Sequence, residues 1–247
     1  MAKKAVRGRN LFDPKSEKSF KISRSKLDDF IRCRRCFYLD RRLGIGKPSM
    51  PGFSLNIAVD HLLKKEFDLY RSKAEPHPLM QKYGIDAIPF AHPDLDDWRE
   101  NFKGVQIAHQ STGLTITGAI DDLWVRPNGE LIVVDYKATS KEGDVTLDDE
   151  WKLAYKRQME IYQWLLRQKG FQVSNTGYFV YANARKDPED FGEKLEFVLT
   201  LLGYEGNGDW IEATLLEMSR CLNAGEIPQA SEGCEYCAYR VAARGVE

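Results

Sequence analysis

Residues 114–137 read LTITGAIDDLWVRPNGELIVVDYK. The first half, Leu114–Val125, is rich in β-branched residues and partly alternates between apolar and polar side chains, which predicts a strand. Pro127-Asn128-Gly129 predicts a turn, and the apolar run after it predicts a second strand, Leu131–Lys137. The segment is therefore interpreted as a β-hairpin.

This hairpin brings charged side chains together. Alternate residues of a strand share a face, so Asp135 and Lys137 point the same way, and the hairpin places Asp121 alongside them. Charges in such an apolar setting are costly unless they are paired or bind a metal. Two neighbouring carboxylates become favourable with a divalent cation between them. The alternative is a surface hairpin with scattered charges.

The rest of the chain predicts helices and strands around the hairpin. The predicted helices are 23–38, Ser54–Arg71, 95–102, 149–169 and 209–223, and the further strands are Thr176–Tyr181 and 195–202. On the second helix we expect Leu55, Ala58, Val59, Leu62, Leu63, Phe67 and Leu69 or Tyr70 to be buried. No internal repeat or Gly/Ser linker interrupts the pattern. We therefore predict one α/β domain over residues 21–247, preceded by a flexible basic lead-in, residues 1–20.

Composition and charge narrow the class of protein. The 247 residues are 43% hydrophobic and 30% charged, with a net charge of −1. No apolar run approaches the roughly 18 residues of a membrane span, and no secretory signal opens the chain, so we expect a cytoplasmic protein without a membrane partner.

Residues 1–47 carry 15 Lys or Arg against five Asp or Glu. Such a basic arm is typical of a segment that meets a polyanion, although a solvated tail is equally consistent.

Three further residue patterns support a metal-dependent site. His61 lies within the second predicted helix, where an imidazole can complete a metal site, although a structural histidine is the common alternative. Gln158 and Tyr162 lie four residues apart on one helix face, although Tyr162 also suits the core. Gly118 allows close approach of backbone or substrate before Asp121.

Taken together in this order, His61, Gly118–Asp121, Asp135–Lys137 and Gln158-x-x-x-Tyr162 resemble the PD-(D/E)XK nuclease superfamily. The resemblance is greatest to its RecB-like exonuclease branch, which includes AddAB-type subunits and CRISPR-associated nucleases. Ile120 stands where that family has proline. The resemblance implies a restriction-endonuclease-like core, with a central mixed β-sheet flanked by helices.

The resemblance also implies a role for each site residue. Asp121 and Asp135 would bind magnesium or manganese, with help from His61 and the backbone carbonyl of Tyr136. Lys137 would orient or deprotonate the attacking water, and Gln158 and Tyr162 would position the strand. The implied activity is hydrolysis of DNA phosphodiester bonds, by an exonuclease acting on single-stranded or frayed ends in repair, recombination or CRISPR adaptation.

Two Cys-x-x-Cys pairs lie near opposite ends of the chain: Cys33 with Cys36, and Cys234 with Cys237. Doubled spacing of this kind is typical of a four-thiolate metal site, although each cysteine could also be a small buried apolar residue. We predict a clasp in which residues 24–42 and 228–240 share one metal centre. The paired spacing favours zinc and the family resemblance favours [4Fe-4S], so both remain open.

The clasp would hold a set of basic side chains beside the catalytic domain, forming a phosphate track: Arg32, Arg34, Arg35, Arg41 and Arg42. No helicase motif is present, so a motor would be a separate chain, and a CRISPR-adaptation subunit is the other implied partner. The alternative function is a catalytically silent nucleic-acid-binding scaffold subunit.

Overall fold

The computed structural model describes residues 8–48 and 52–246 of the chain. These residues form two compact units. In the described residues, the first unit comprises residues 8–48, 106–117 and 209–246, and the second comprises residues 52–105 and 118–208. The predicted lead-in, residues 1–20, falls partly outside the described residues. In its described part, the Phe12 N–H donates to the Arg41 carbonyl at 2.8 Å.

In the described residues the α-helices are α1 (Arg24–Arg32), α2 (Arg34–Arg41), α3 (Ser54–Arg71), α4 (Pro78–Lys82), α5 (Leu95–Arg99), α6 (Leu153–Gln168), α7 (Trp210–Asn223) and α8 (Glu235–Arg244). The strands are β1 (Phe20–Ser23), β2 (Ile88–Pro89), β3 (Val105–His109), β4 (Leu114–Gly118), β5 (Asp122–Val125), β6 (Leu131–Thr139), β7 (Thr176–Ala184) and β8 (Phe197–Glu205). One turn of 3₁₀ helix, Glu150–Lys152, precedes α6.

The second unit is built on a five-stranded sheet in the order β2-β5-β6-β7-β8. β6 and β7 are parallel and the other neighbours are antiparallel. A parallel pair needs a crossover connection, and α6 supplies it. The mixed α/β organisation predicted from the sequence is confirmed.

The two sides of β6 contact different helices. Ile132, Val134 and Tyr136 belong to the apolar core that includes Leu63 and Phe67 of α3. Asp135 lies between Val134 and Tyr136 in sequence, so its side chain points to the opposite side of the strand. There it contacts Gln158 of α6. The strand at the centre of the sheet thus presents Ile132, Val134 and Tyr136 to α3 and Asp135 to α6.

The first unit contains a three-stranded sheet in the order β1-β4-β3, together with α1, α2, α7 and α8. Phe30 of α1 and Phe37 of α2 meet edge to face, with their ring centroids 5.2 Å apart. The two helices were predicted as one, but Cys33 between them is extended. Neither proline nor glycine stands there. The break accompanies a tertiary contact of the Cys33 thiol, which local sequence does not encode.

The first predicted strand of the hairpin is also divided. β4 ends at Gly118 and β5 begins at Asp122, and the two strands belong to different sheets. Between them, the Ile120 N–H donates to the Trp98 carbonyl at 3.1 Å, which takes the backbone out of the strand ladder. Asp121 therefore lies in a bend rather than within a strand.

The buried side of α3 is narrower than the apolar pattern predicted. Leu63 and Phe67 are buried and Val59 packs against them, as expected. Leu55, Leu62 and Leu69, seven residues apart, are 67%, 62% and 63% exposed. Ala58 is exposed as well, whereas Tyr70, the alternative to Leu69, is half-buried. The prediction of burial is therefore wrong for Leu55, Ala58 and Leu62, because apolar residues occur on two sides of this helix and only one side faces the core.

The helices bear on whether the chain crosses a membrane. In the part of the chain that the structure describes, none of them combines the length and the apolar composition needed to cross a bilayer.

Candidate functional site

Asp121 and Asp135 lie at neighbouring positions of the β5-β6 pair. Asp122 pairs with Val134 in this antiparallel ladder, so the preceding and following residues, Asp121 and Asp135, come opposite each other. The Tyr136 N–H donates to Asp121 Oδ2 at 2.9 Å, which holds that carboxylate against β6. Asp135 itself is fully buried. The two carboxylates therefore share one site.

Lys137 supplies a positive charge to this site. Its ammonium group forms an ion pair with Asp135 and lies 3.5 Å from the Tyr136 carbonyl oxygen. Burial lowers the pKa of Lys137, but the charges of Asp135 and Asp121 outweigh burial, so the net shift is upward. In this arrangement the Lys137 ammonium group is a counter-charge and a hydrogen-bond donor to Asp135.

Gln158 and Tyr162 on α6 support Asp135. The Gln158 side-chain amide donates to Asp135 Oδ1 at 2.5 Å and to the Tyr162 hydroxyl at 3.1 Å. Their spacing of one helical turn places both on the face of α6 that meets β6. The sequence pattern Gln158-x-x-x-Tyr162 thus describes a hydrogen-bonded chain that orients a buried carboxylate.

Gly118 allows this chain to pack. A Cβ atom at position 118 would lie 2.7 Å from Tyr162 Cε1 and 3.0 Å from Leu165 Cδ1. The close approach expected at this glycine is therefore made by the Tyr162 ring.

His61 and its neighbour Asp60 occupy different sides of α3. His61 is exposed, whereas Asp60 is partly buried. Lys64, one turn further on, lies 2.9 Å from Asp60 Oδ2 and 3.4 Å from Asp121 Oδ1. Burial and the Asp121 charge raise the pKa of Asp60, although Lys64 opposes them. Asp60, which the sequence analysis did not select, is therefore the acid of α3 that lies near Asp121.

The charge balance around Asp121 favours its carboxylate form. Burial raises the pKa of Asp121, but Lys64, Lys137 and the Tyr136 N–H together outweigh burial, and the pKa lies below its usual value. Burial lowers the pKa of Lys64, and the Asp121 and Asp60 carboxylates reverse this effect, so the pKa rises.

Asp122 is a fully buried acid that holds the bend at Asp121 in place. The sequence did not predict a role for it. It accepts hydrogen bonds from Arg71, from Arg99 at 2.8 Å and from the Tyr136 hydroxyl at 2.6 Å. Arg99 also donates to the Asp121 carbonyl at 3.1 Å. This network positions the backbone that carries Asp121. The adjacent acids at 121 and 122 were the available signal, but their different partners depend on tertiary structure.

The donors at the site suit a hard divalent cation. Carboxylate oxygens of Asp60, Asp121 and Asp135 and the Tyr136 carbonyl are ligands that magnesium and manganese accept. The ammonium groups of Lys64 and Lys137 lie among these oxygens. Binding of a cation therefore requires that these ammonium groups shift.

The four cysteines form a separate cluster in the first unit. Their Sγ atoms all lie within 4.8 Å of one another, and Cys36 Sγ is 3.6 Å from both Cys234 Sγ and Cys237 Sγ. Burial raises the pKa of Cys33, but backbone hydrogen bonds from Ser231 and Cys36 outweigh burial and lower it to about 6. The convergence predicted from the two Cys-x-x-Cys pairs is confirmed, and tetrahedral thiolate coordination fits this donor set. The fifth cysteine, Cys221, is not a member of this cluster.

The five arginines predicted to contact DNA have different surroundings. Arg32 is exposed, and Arg34 is exposed and paired with Glu217. Arg35 is half-buried. Arg41 is buried and paired with Asp40, and Arg42 donates to the Phe12 carbonyl at 3.3 Å. Arg42, like Arg35, is half-buried, so Arg41 is the buried member of the set. A phosphate-binding role for the set stays a prediction.

Comparison with known proteins identifies the family. The sequence model of the PD-(D/E)XK nuclease superfamily matches residues 55–242, well over half of the chain. The chain belongs to this superfamily, and the restriction-endonuclease-like fold class is confirmed. Among curated proteins, none matches. A solved structure titled "Crystal structure of SSO0001" is 18% identical, with 93% of this chain and 87% of that chain covered and a TM-score of 0.44.

Proposed function

We propose that the protein is a metal-dependent deoxyribonuclease of the RecB-like branch, which hydrolyses phosphodiester bonds as an exonuclease on single-stranded or frayed ends. The observation that carries the proposal is the environment of Asp135. This fully buried carboxylate is held by Lys137 from its own strand and by Gln158 from α6. Hydrogen bonds of this kind fix the orientation of a carboxylate, as a metal ligand requires.

Magnesium or manganese would be held by Asp135, Asp121 and the Tyr136 carbonyl. Asp60 replaces His61 in this proposal as the ligand from α3, since Lys64 joins Asp60 to Asp121. A divalent cation bound there polarises a phosphate oxygen and lowers the pKa of water.

The other side chains act on the substrate and on the ligands. The Lys137 ammonium group donates to a phosphate oxygen or to the attacking water and stabilises the negative charge that develops. Gln158 fixes the rotamer of Asp135, and Tyr162 holds Gln158. Arg99 and Asp122 keep Asp121 in its bend.

The four-cysteine cluster and the partner proteins complete the proposed function. The four-cysteine cluster would hold one structural metal centre, zinc or [4Fe-4S], in a cytoplasmic protein. The DNA would reach the site with a separate helicase or a CRISPR-adaptation subunit, in repair, recombination or adaptation. The superfamily membership and the two donor sets support this proposal.

The test is cleavage of single-stranded DNA labelled at either end, in the presence of manganese. The wild-type protein should release short products from one labelled end first, and Asp135→Asn should reduce the rate about 100-fold or more. Asp86→Asn, the same change at an exposed carboxylate, should leave the rate unchanged. If DNA binding survives chelation while no protein cleaves, the chain is the catalytically silent scaffold instead.

A further inference from the structure

An exposed tryptophan lies directly before the helix that carries Gln158. Trp151 is in the 3₁₀ turn that leads into α6, and its side chain is 61% exposed. Trp98, Trp124 and Trp164 are buried by comparison. A large indole ring at the surface is uncommon where no ligand or partner covers it.

The Trp151 ring is anchored along one edge. It meets the Tyr155 ring edge to face, with centroids 5.5 Å apart and an interplanar angle of 81°. The Lys152 ammonium group lies 5.0 Å from the indole centroid, and Lys152 is itself fixed by Asp149 at 2.8 Å. The ring is therefore held in place while much of its surface faces solvent.

This anchored ring connects to the catalytic lysine through one residue. The Lys137 ammonium group lies 4.7 Å from the Tyr155 ring centroid, and it forms the ion pair with Asp135. Tyr155 thus contacts both Lys137, over its ring, and the Trp151 ring. A strand that places a phosphate at Lys137 has its neighbouring nucleotide within reach of the indole.

We propose that Trp151 is a stacking platform for an unpaired nucleobase of the substrate strand, next to the scissile phosphate. This inference rests on the proposed nuclease function and specifies its substrate as single-stranded DNA. Every base presents an aromatic face, and stacking on a protein ring needs that face to be free. Inside a duplex both faces of a base are covered by the neighbouring pairs, so the platform favours unpaired nucleotides.

The charges around Trp151 favour stacking over phosphate attraction. Asp148, Asp149 and Glu150 directly precede the ring in sequence, and the basic residues of the same part of the chain are Lys141, Lys152 and Lys156. Lys152 lies 5.0 Å from the indole centroid, and Lys141 is 3.7 Å from Asp149. These charges largely balance. The contribution of Trp151 to affinity should therefore change little between low and high salt, unlike that of an ion pair with phosphate.

The experiment measures binding of a labelled oligo(dT) strand by fluorescence anisotropy in EDTA, so that cleavage plays no part. Trp151→Ala should weaken binding about tenfold, Trp151→Phe should retain most of the affinity, and a blunt duplex should bind both variants alike. The matched control is Phe191→Ala, which removes another exposed ring from the β7–β8 connection and should bind like the wild type. Quenching of intrinsic tryptophan fluorescence by the oligonucleotide should disappear in Trp151→Phe.

The outcomes separate the two proposals. If wild type and Trp151→Ala bind oligo(dT) equally and quenching persists in Trp151→Phe, the platform is wrong while the nuclease stands. If the wild type binds no oligo(dT) but cleaves a duplex, the single-strand assignment is wrong. If it neither binds nor cleaves DNA, both proposals are wrong. Equal loss of affinity for duplex and single strand in Trp151→Ala would also contradict the platform.

Discussion

The ammonium group of Lys64 lies 3.4 Å from the carboxylate of Asp121. The same group is 2.9 Å from Asp60, so one helix charge joins two acids of the proposed metal site. Without a cation, Lys64 offsets the repulsion between these carboxylates. It also competes for the oxygens that a metal would use.

Replacing Lys64 by methionine should separate these two effects. Without divalent cations, Lys64→Met should lower Tm by about 2–8 °C, which corresponds to roughly 1–2 kcal/mol for a chain of this size. Added manganese should then raise Tm more in the variant than in the wild type, since no ammonium group competes. Lys65→Met, at an exposed position of α3, is the control. An equal manganese response in all three proteins would show that Lys64 does not compete with the cation.

Replacing Gly118 by alanine should disturb both packing and catalysis. The new methyl group would lie 2.7 Å from the Tyr162 ring, and overpacking of this kind costs about 1–3 kcal/mol. Because Tyr162 holds Gln158, the cleavage rate should fall as well. Gly225→Ala, where a Cβ atom meets nothing within 4 Å, should leave both unchanged. Denaturant unfolding measures the loss of stability, and a cleavage assay measures the loss of activity. An unchanged free energy of unfolding in Gly118→Ala would be inconsistent with this packing.

Loss of Asp122 should be far more costly than loss of Asp68. Asp122→Ala leaves the guanidinium groups of Arg71 and Arg99 without their buried partner, which costs about 3–5 kcal/mol. Asp68 contacts the same two arginines but is 45% exposed, so Asp68→Ala should cost about 1 kcal/mol or less. Urea unfolding of both variants tests the order. Similar losses would mean that Asp122 is not the residue that organises this network.

The stability provided by Asp121 should depend on pH in one direction. Its pKa is below the usual value in the folded protein, so its contribution is fully present above about pH 4, the unfolded pKa, and is lost as the pH falls through the folded value. The difference in unfolding free energy between wild type and Asp121→Asn, measured in EDTA, should therefore be constant near neutral pH and shrink below about pH 4. If this difference in unfolding free energy grew on acidification, the pKa of Asp121 would be raised in the folded protein, contrary to this prediction.

Removal of one thiol should release the structural metal. Cys36 Sγ lies 3.6 Å from two other thiols, so Cys36→Ala should abolish bound metal and lower Tm. Cys221→Ala removes a cysteine outside the cluster and should retain the metal. Elemental analysis of anaerobically purified protein measures this. Brown visible absorption identifies an iron–sulfur cluster, and a colourless protein containing zinc identifies the alternative. Metal retained in Cys36→Ala would exclude a four-thiolate centre.

The features that sequence predicted well are those with local causes. The turn at 127–129 sets the hairpin, and the apolar run before Asp135 sets a buried strand. The two Cys-x-x-Cys pairs likewise carry their own geometric signature. The turn, the strand and the spacing within each cysteine pair depend on neighbouring residues only, whereas the meeting of the two pairs follows from the preference of one metal centre for four thiolates.

The features that sequence missed depend on contacts between distant residues. His61 and Asp60 are adjacent, but about 100° of helix rotation separates them, and the side that faces Asp121 follows from how α3 meets the sheet. The bend before Asp122 depends on Trp98 and Arg99, more than 20 residues earlier. No local pattern encodes either contact.

The crossover from β6 to β7 has a consequence for how such an enzyme can diversify. β6 carries Asp135 and Lys137, whereas the connection carries Trp151, Tyr155 and Gln158. In the proposed nuclease, bond-breaking chemistry and contact with the nucleobase would thus reside on consecutive segments of chain. Exchange of the turn around Trp151 alone, ahead of Gln158, would change which DNA ends are accepted and would leave Asp135 and its hydrogen bond to Gln158 in place.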